Sequence, residues 1–411
     1  MSFQHVQPLE QPVAVIAEPA RIPTFKMLDA LRGLAALWVV MCHCCAIFLG
    51  ISPRFSSWPI YAFSIKGQLG VVLFFLISGY CITATAYSTV ASGKTISRWG
   101  FERVRRIYPP YLAACVLTSV SILIQIFAQK YNMVAHIKHL NIGEEYHTVT
   151  FWVANALLLQ TEAHQSCLVL VSWSLCYEVA FYLIVGLMVW AARTSIQRFG
   201  DEFAVICLGL CVGVTTISSL IWLTISPATC PFPLDRWYQF GTGALFFFLT
   251  ELKSNSLFGF SRKFQLLVTS QFSLTLVLIA VFSLLRQTGG EDVGHPSSRI
   301  QAFTLLVFVG LLSVFRRFDR ELAGRSLLRP LFGLGAFSYS LYLIHPMLGP
   351  YIDFPLRRLG LTGNLYIFTF IVEVVVSVAA GWLFFWAVER HFISSRQKIR
   401  FKSELAKERF F

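Results

Sequence analysis

An all-α fold is predicted, a polytopic membrane bundle of about ten transmembrane helices with both termini in the cytoplasm, and three observations predict it. The 411 residues are 56% hydrophobic and only 13% charged, with 38 Phe and a mean hydropathy of +0.64, whereas a soluble domain carries about 25% charged residues. The apolar residues gather into ten stretches long enough to cross a bilayer, near 27–50, 67–88, 108–128, 168–192, 203–226, 234–250, 264–285, 299–315, 331–351 and 364–388. With the N-terminus inside, twenty-four of the 34 Lys and Arg fall in inner segments and nine in outer loops or, for Arg236 and Arg299, at the span ends that border them, while Arg32 lies within the first span. That asymmetry follows the positive-inside rule. The net charge of +13 is therefore read as topology and lipid contact, not as a nucleic-acid footprint.

Residues 1–26 are polar and proline-containing, without the charged-then-apolar order of a signal peptide, and are expected to form a flexible cytoplasmic tail. Residues 27–390 form the transmembrane domain, and the basic run of 391–411 fits a tail facing lipid headgroups. The first span carries Arg32 and His43. Charged groups at membrane depth are costly, so such residues are functional candidates by default. Eleven residues make roughly three turns plus 20°, so both side chains leave one face of the helix about 16 Å apart. They cannot touch, but they suit two ends of one long substrate. Asp29, one turn before Arg32, is its expected ion partner.

Before the third span, Ser97–Pro110 carries Arg98, Arg103, Arg105 and Arg106. Alone this is a positive-inside loop. Beside Arg32 it can form an anionic-ligand site, because guanidinium forks match phosphate. Segment 151–160 is too short to cross and is expected at the interface or packed outside the bundle. The fourth span brings Glu178, the ninth His345 followed by Pro346, and the tenth Glu373. Counting from the outer span ends at the helical rise places His43 about 10 Å deep, Glu178 about 15 Å, His345 about 9 Å and Glu373 about 14 Å. Four titratable residues from four helices are thus expected in one layer, which predicts a cavity. His345 has a structural alternative, bracing the proline break.

The remaining candidates are weaker. Most of the ten cysteines fall in apolar spans and read as small buried hydrophobes. Only Cys167 and Cys230 fall in outer loops, where a bridge is open to them if the outside is oxidising. His136, His139, His147, His164 and His295 are loop histidines, and no metal site is expected from them.

The ordered segments Leu28-Asp-Ala-Leu-Arg32-Gly…His43, Gly70-Val-Val-Leu-Phe-Phe-Leu-Ile-Ser-Gly79, Arg103…Arg106-Ile-Tyr-Pro109, Trp173-Ser-Leu-Cys-Tyr-Glu178-Val-Ala-Phe-Tyr182 and Phe337-Ser-Tyr-Ser-Leu-Tyr-Leu-Ile-His345-Pro resemble acyltransferase family 3. These are integral-membrane O-acyltransferases, among them bacterial enzymes that O-acetylate lipopolysaccharide, exopolysaccharide and Nod factors. The likeness covers residues 25–390 or so, and Glu389-Arg390 is similar to the family's usual ending. One departure stands out: where members commonly carry an acid within Gly-Val-Asp-Leu-Phe-Phe, this chain has Val72. The chain resembles the stand-alone form, without a further C-terminal domain.

The resemblance implies transfer of an acyl group, usually acetyl, from cytoplasmic acyl-CoA to a hydroxyl of an extracytoplasmic or lipid-linked carbohydrate, in the bacterial inner membrane. It implies His43 as the catalytic group. Arg32, Arg103 and Arg106 are then expected to hold the CoA phosphates, with Glu178 orienting the imidazole as the third group of a triad does. Ser174 is expected near the oxyanion or substrate, and His345 near the acceptor. The rival is a proton-coupled secondary transporter using the His and Glu layer.

Overall fold

The structure is a computed structural model and describes residues 25–48, 58–130, 146, 148–195, 200–253, 261–285, 298–358 and 366–393. The tails and residues 131–145 are among those outside the described residues. Every regular element is helical. In chain order the α-helices are α1 Met27–Phe48, α2 Pro59–Ser64, α3 Leu69–Ala91, α4 Ile96–Lys130, α5 Val149–Leu157, α6 Trp173–Ser195 and α7 Gly200–Ile225. They continue as α8 Leu234–Lys253, α9 Arg262–Leu285, α10 Ser298–Arg317, α11 Asp319–Ala323, α12 Arg329–Ala336, α13 Ser338–Arg358 and α14 Tyr366–Ala387.

Among the described residues, eight helices are long and apolar enough to cross a membrane, and nine if the bent pair α12–α13 counts as one span. Two of the ten expected spans account for the difference. Helix α8 forms as expected but is short of the apolar length, because Asp235, Arg236 and Gln239 crowd its first turns; its middle, from Trp237 to Phe248, is buried inside the bundle. The ninth expected span is broken near Phe337, where the chain turns by 67° between its two helices. The second expected span is preceded by α2, and Pro59–Ala91 together make one long element.

Helices α1, α3 and α8 form the middle of the bundle. Small residues let their backbones approach, as packing in lipid requires. A Cβ on Gly243 of α8 would stand 2.0 Å from the Leu76 carbonyl oxygen of α3, and one on Gly335 of α12 would stand 1.9 Å from the Asp29 carbonyl oxygen of α1. The outward faces of α4, α9, α10 and α14 instead expose Leu123, Phe127, Leu284, Phe303 and Leu383, the apolar surface that hydrocarbon solvates.

Two local devices place the functional helices. The orphan N–H groups that open a helix need acceptors, and for α1 the Asp319 carboxylate supplies them, accepting from the backbone N–H of Met27 at 2.8 Å and of Lys26 at 3.2 Å. The nine-residue α5 is too short to span, as expected, and is capped by the Thr148 hydroxyl at the Phe151 N–H. From it, buried Asn155 reaches across to Ser166 and Leu168 of the following loop. That loop is drawn into the protein, with Leu158, Gln160, Leu168 and Val169 buried, and a 3-10 turn over Leu170–Ser172 precedes α6. Helix α6 therefore starts below the surface from which its depth is counted in the sequence. Cys167 and Cys230 are free thiols, so the bridge open to them in the sequence is absent.

Candidate active site

The two predicted ends of the first helix are both built, but with different partners from those expected. Towards the C-terminal end of α1, its outer end by the predicted topology, His43 meets His345 of α13. Their ring centroids are 4.9 Å apart, and His345 Nε2 lies 3.2 Å from His43 Nδ1. Each ring is also held by its own helix, His345 Nδ1 at 3.0 Å from the Leu341 carbonyl and His43 Nδ1 at 2.9 Å from the Val39 carbonyl. For neutral rings these contacts assign the protons. A carbonyl only accepts, so His345 carries its hydrogen on Nδ1 and offers the Nε2 lone pair. His43 then carries its hydrogen on Nδ1, donating towards both Val39 and His345, and its basic nitrogen is Nε2. His345 is buried and His43 half-buried.

Towards the N-terminal end of α1, its inner end by the same prediction, a narrow cavity of about 70 Å³ is lined by Arg32, Arg106, Ser174, Glu178, Tyr339 and Tyr342, with Phe74 and Phe75 as its apolar wall. Arg32 reaches it from the first turns of α1 and keeps Asp29 at 3.8 Å. Arg106 comes from α4, just before Pro109 and Pro110, whose missing N–H groups free the carbonyls one turn back. The Tyr339 hydroxyl donates to the Ile107 carbonyl at 2.9 Å and ties α13 to that turn. The Tyr182 hydroxyl donates to Glu178 at 3.2 Å.

Tyr342 joins the two ends. It lines the cavity, its hydroxyl lies 2.8 Å from the Ser174 hydroxyl, and its ring centroid is 6.1 Å from that of His345.

Sequence reading placed Glu178 in the histidine layer; the structure sets it with Arg32 and Arg106. Ser174 is level with Tyr342, Glu178 lies one turn inward along α6, and His345 nearly one turn outward along α13. These offsets put Glu178 about 10 Å inward of the histidines. The late start of α6 is the cause. The hydrogen bond that Glu178 was expected to offer His43 comes from His345 instead. Glu373 is buried beside the Cys44 thiol, next in sequence to His43 but on another side of α1. Arg103 does not line the cavity with Arg32 and Arg106 but a different groove, between α4 and α6. Of the loop histidines only His164 falls within the described residues, with a left-handed backbone at φ 51°.

Three tyrosines were missed as site residues. Tyr339, Tyr342 and His345 follow one another every three residues along α13, and Tyr182 lies four residues after Glu178, so the periodicity that singled out Arg32 and His43 was available for them too.

No curated protein and no solved structure matches the chain. A family model described as an acyltransferase domain does, over residues 25–386. With its bundle of membrane-crossing helices, the chain belongs to acyltransferase family 3 and is an integral-membrane acyltransferase.

Proposed function

We propose that the protein moves an acyl group, acetyl in the first instance, from cytoplasmic acyl-CoA to a hydroxyl of an extracytoplasmic or lipid-linked carbohydrate in the bacterial inner membrane. One observation carries this reading: α1 presents a cationic cavity at its inner end and a hydrogen-bonded histidine pair about 16 Å further out. The CoA phosphates would lie at the cavity mouth on Arg32 and Arg106, since guanidinium groups bind phosphate by paired hydrogen bonds. The space of about 70 Å³ beside them holds only a few waters, so it would have to open for the pantetheine arm. The arm would pass Tyr342 and bring the thioester to His43.

There His43 Nε2 takes the proton of the acceptor hydroxyl as its oxygen attacks the thioester carbonyl. As the tetrahedral intermediate collapses, the carbon–sulfur bond breaks and the CoA sulfur leaves with that proton. His345, accepting from His43 Nδ1, holds the ring in the tautomer this needs, the part an orienting carboxylate plays in a serine triad. Glu178 neutralises part of the arginine charge beside it, which lets the cavity release the CoA product.

Purified protein reconstituted in lipid tests the scheme by calorimetric titration with CoA and by acetyl-CoA consumption with and without a surface-polysaccharide acceptor. Binding, with consumption stimulated by acceptor and indifferent to an ion gradient, is the expected result. Folded protein that binds no CoA and carries solute down a proton gradient would be a transporter, and the scheme would be wrong.

A further inference from the structure

The four arginines that open α4 have separate partners. Arg98 pairs with Glu102 at 3.6 Å, Arg105 donates to the His391 carbonyl at 3.3 Å, and Arg106 lines the central cavity. Arg103 does none of these. It lies half-buried in a groove of about 490 Å³ between α4 and α6, whose other lining residues carry no charge and include Trp99, Val104, Ile107, Leu183, Leu187 and Trp190. Its guanidinium stands 6.0 Å from the Tyr182 ring centroid. Its Nε is buried without a hydrogen-bond partner among the described residues, although a buried guanidinium N–H left unmatched is costly.

The groove faces lipid, since Val104, Leu183, Leu187 and Trp190 are all exposed on the bundle surface. On α4 it runs from Ile96 to Tyr108, about 18 Å of helix, of which about 8 Å lies beyond Arg103. Helix α4 has 35 residues and is about 52 Å long, well beyond a hydrocarbon core of about 30 Å. Its charged first turns, Arg98 to Arg106, therefore stand at headgroup level, and Arg103 lies among them partway along the groove. A basic group level with the cytoplasmic headgroups, partway along a groove between transmembrane helices, matches a lipid phosphate.

We propose that this groove binds an anionic phospholipid of the cytoplasmic leaflet, with the lipid phosphate on Arg103. The inference rests on the topology given under the proposed function, with the N-terminal end of α4 towards the cytoplasm. It assigns Arg103 to a lipid site rather than to the acyl-CoA phosphates. Because Tyr182 and Ile107 separate groove from cavity, and Tyr182 also holds Glu178, the bound lipid would buttress one wall of the cavity.

Native mass spectrometry of the full chain, released from bilayers of equal phosphatidylglycerol and phosphatidylcholine, tests it. Wild type should retain one phosphatidylglycerol, preferred by about fivefold over phosphatidylcholine, the preference expected of a single arginine at a lipid surface. Arg103→Gln should lose the preference, Arg103→Lys should keep part of it, and Leu183→Trp, which fills the groove from its exposed rim, should retain neither lipid. Arg32→Gln should retain lipid as wild type does. Equal retention of both lipids by wild type, or undiminished preference in folded Arg103→Gln, would overturn the proposal. So would loss of CoA affinity in Arg103→Gln with lipid retention untouched, since the residue would then belong to the acyl-CoA site. CoA titration of the wild type in the same bilayers separates the two readings. Absence of CoA binding with selective lipid retention defeats the acyltransfer scheme alone.

Discussion

The two ends of α1 are built on opposite principles. At the outer end, each histidine is fixed chiefly by its own helix, through a carbonyl four residues back, and the inter-helix contact is a single hydrogen bond between rings. At the inner end, the cavity gathers side chains from α1, α3, α4, α6 and α13; Tyr182 holds Glu178 within α6, and Tyr339 of α13 ties to the Ile107 carbonyl of α4. The outer site is a pair of locally preset groups brought into contact. The inner site exists only as an assembly. A reacting group needs a fixed tautomer and direction, which short-range bonds supply; a phosphate site needs charge density, which no single helix can carry cheaply in a membrane.

Breaking the outer site should have the largest effect. His43→Ala is expected to lower acyl transfer by about 10²- to 10⁴-fold, the usual worth of a general base, while CoA still binds. Acceptor acylation measured beside calorimetric CoA titration checks both halves, and near wild-type transfer would remove His43 from the chemistry. At the inner end, Arg32→Gln should weaken CoA binding by about 10- to 100-fold, the worth of a charge-assisted hydrogen-bond pair, with saturated turnover changed little. A loss confined to turnover would mean that the two ends are not divided between binding and chemistry.

His345→Phe keeps a ring of similar shape and removes the acceptor for His43 Nδ1. Losing an orienting partner of this kind typically costs about 10- to 100-fold in activity. The loss should fall on kcat rather than KM, and His345→Gln, which keeps an acceptor, should recover part of it. Equal activity in all three proteins would reduce His345 to packing. The smallest effect is expected from Tyr182→Phe, which removes one hydrogen bond to Glu178. About 1 kcal/mol is at stake, so CoA affinity should shift by less than about tenfold and the histidine chemistry should not respond.

Much of the molecule was legible in the chain. Apolar length and charge asymmetry indicate the helical membrane bundle, and 3.6-residue periodicity alone puts Arg32 and His43 on one face. The short α5 was readable because nine residues cannot span. Glu178 was misplaced because depth was counted from residue 168 as though the helix began there; the 3-10 turn and the buried loop held by Asn155 shift that origin. Arg103 and Arg106 are three residues apart and neighbours on one helix surface, yet they end in different spaces because α6 and its Tyr182 stand between groove and cavity. Val72, where the family commonly has an acid, is buried in the core of α3, so this chain builds its site without a carboxylate there.

By itself the sequence determined the all-α membrane class, the family, and the 16 Å separation of arginine and histidine along α1, because each depends on composition or on the repeat of one helix. Only the tertiary structure decided that His43 meets His345, 302 residues away in the chain, and that Glu178 joins the arginines. Those pairings depend on how helices cross and on how deep each one begins, and both are set by loops, bends and close glycine contacts between helices that no single-helix period contains.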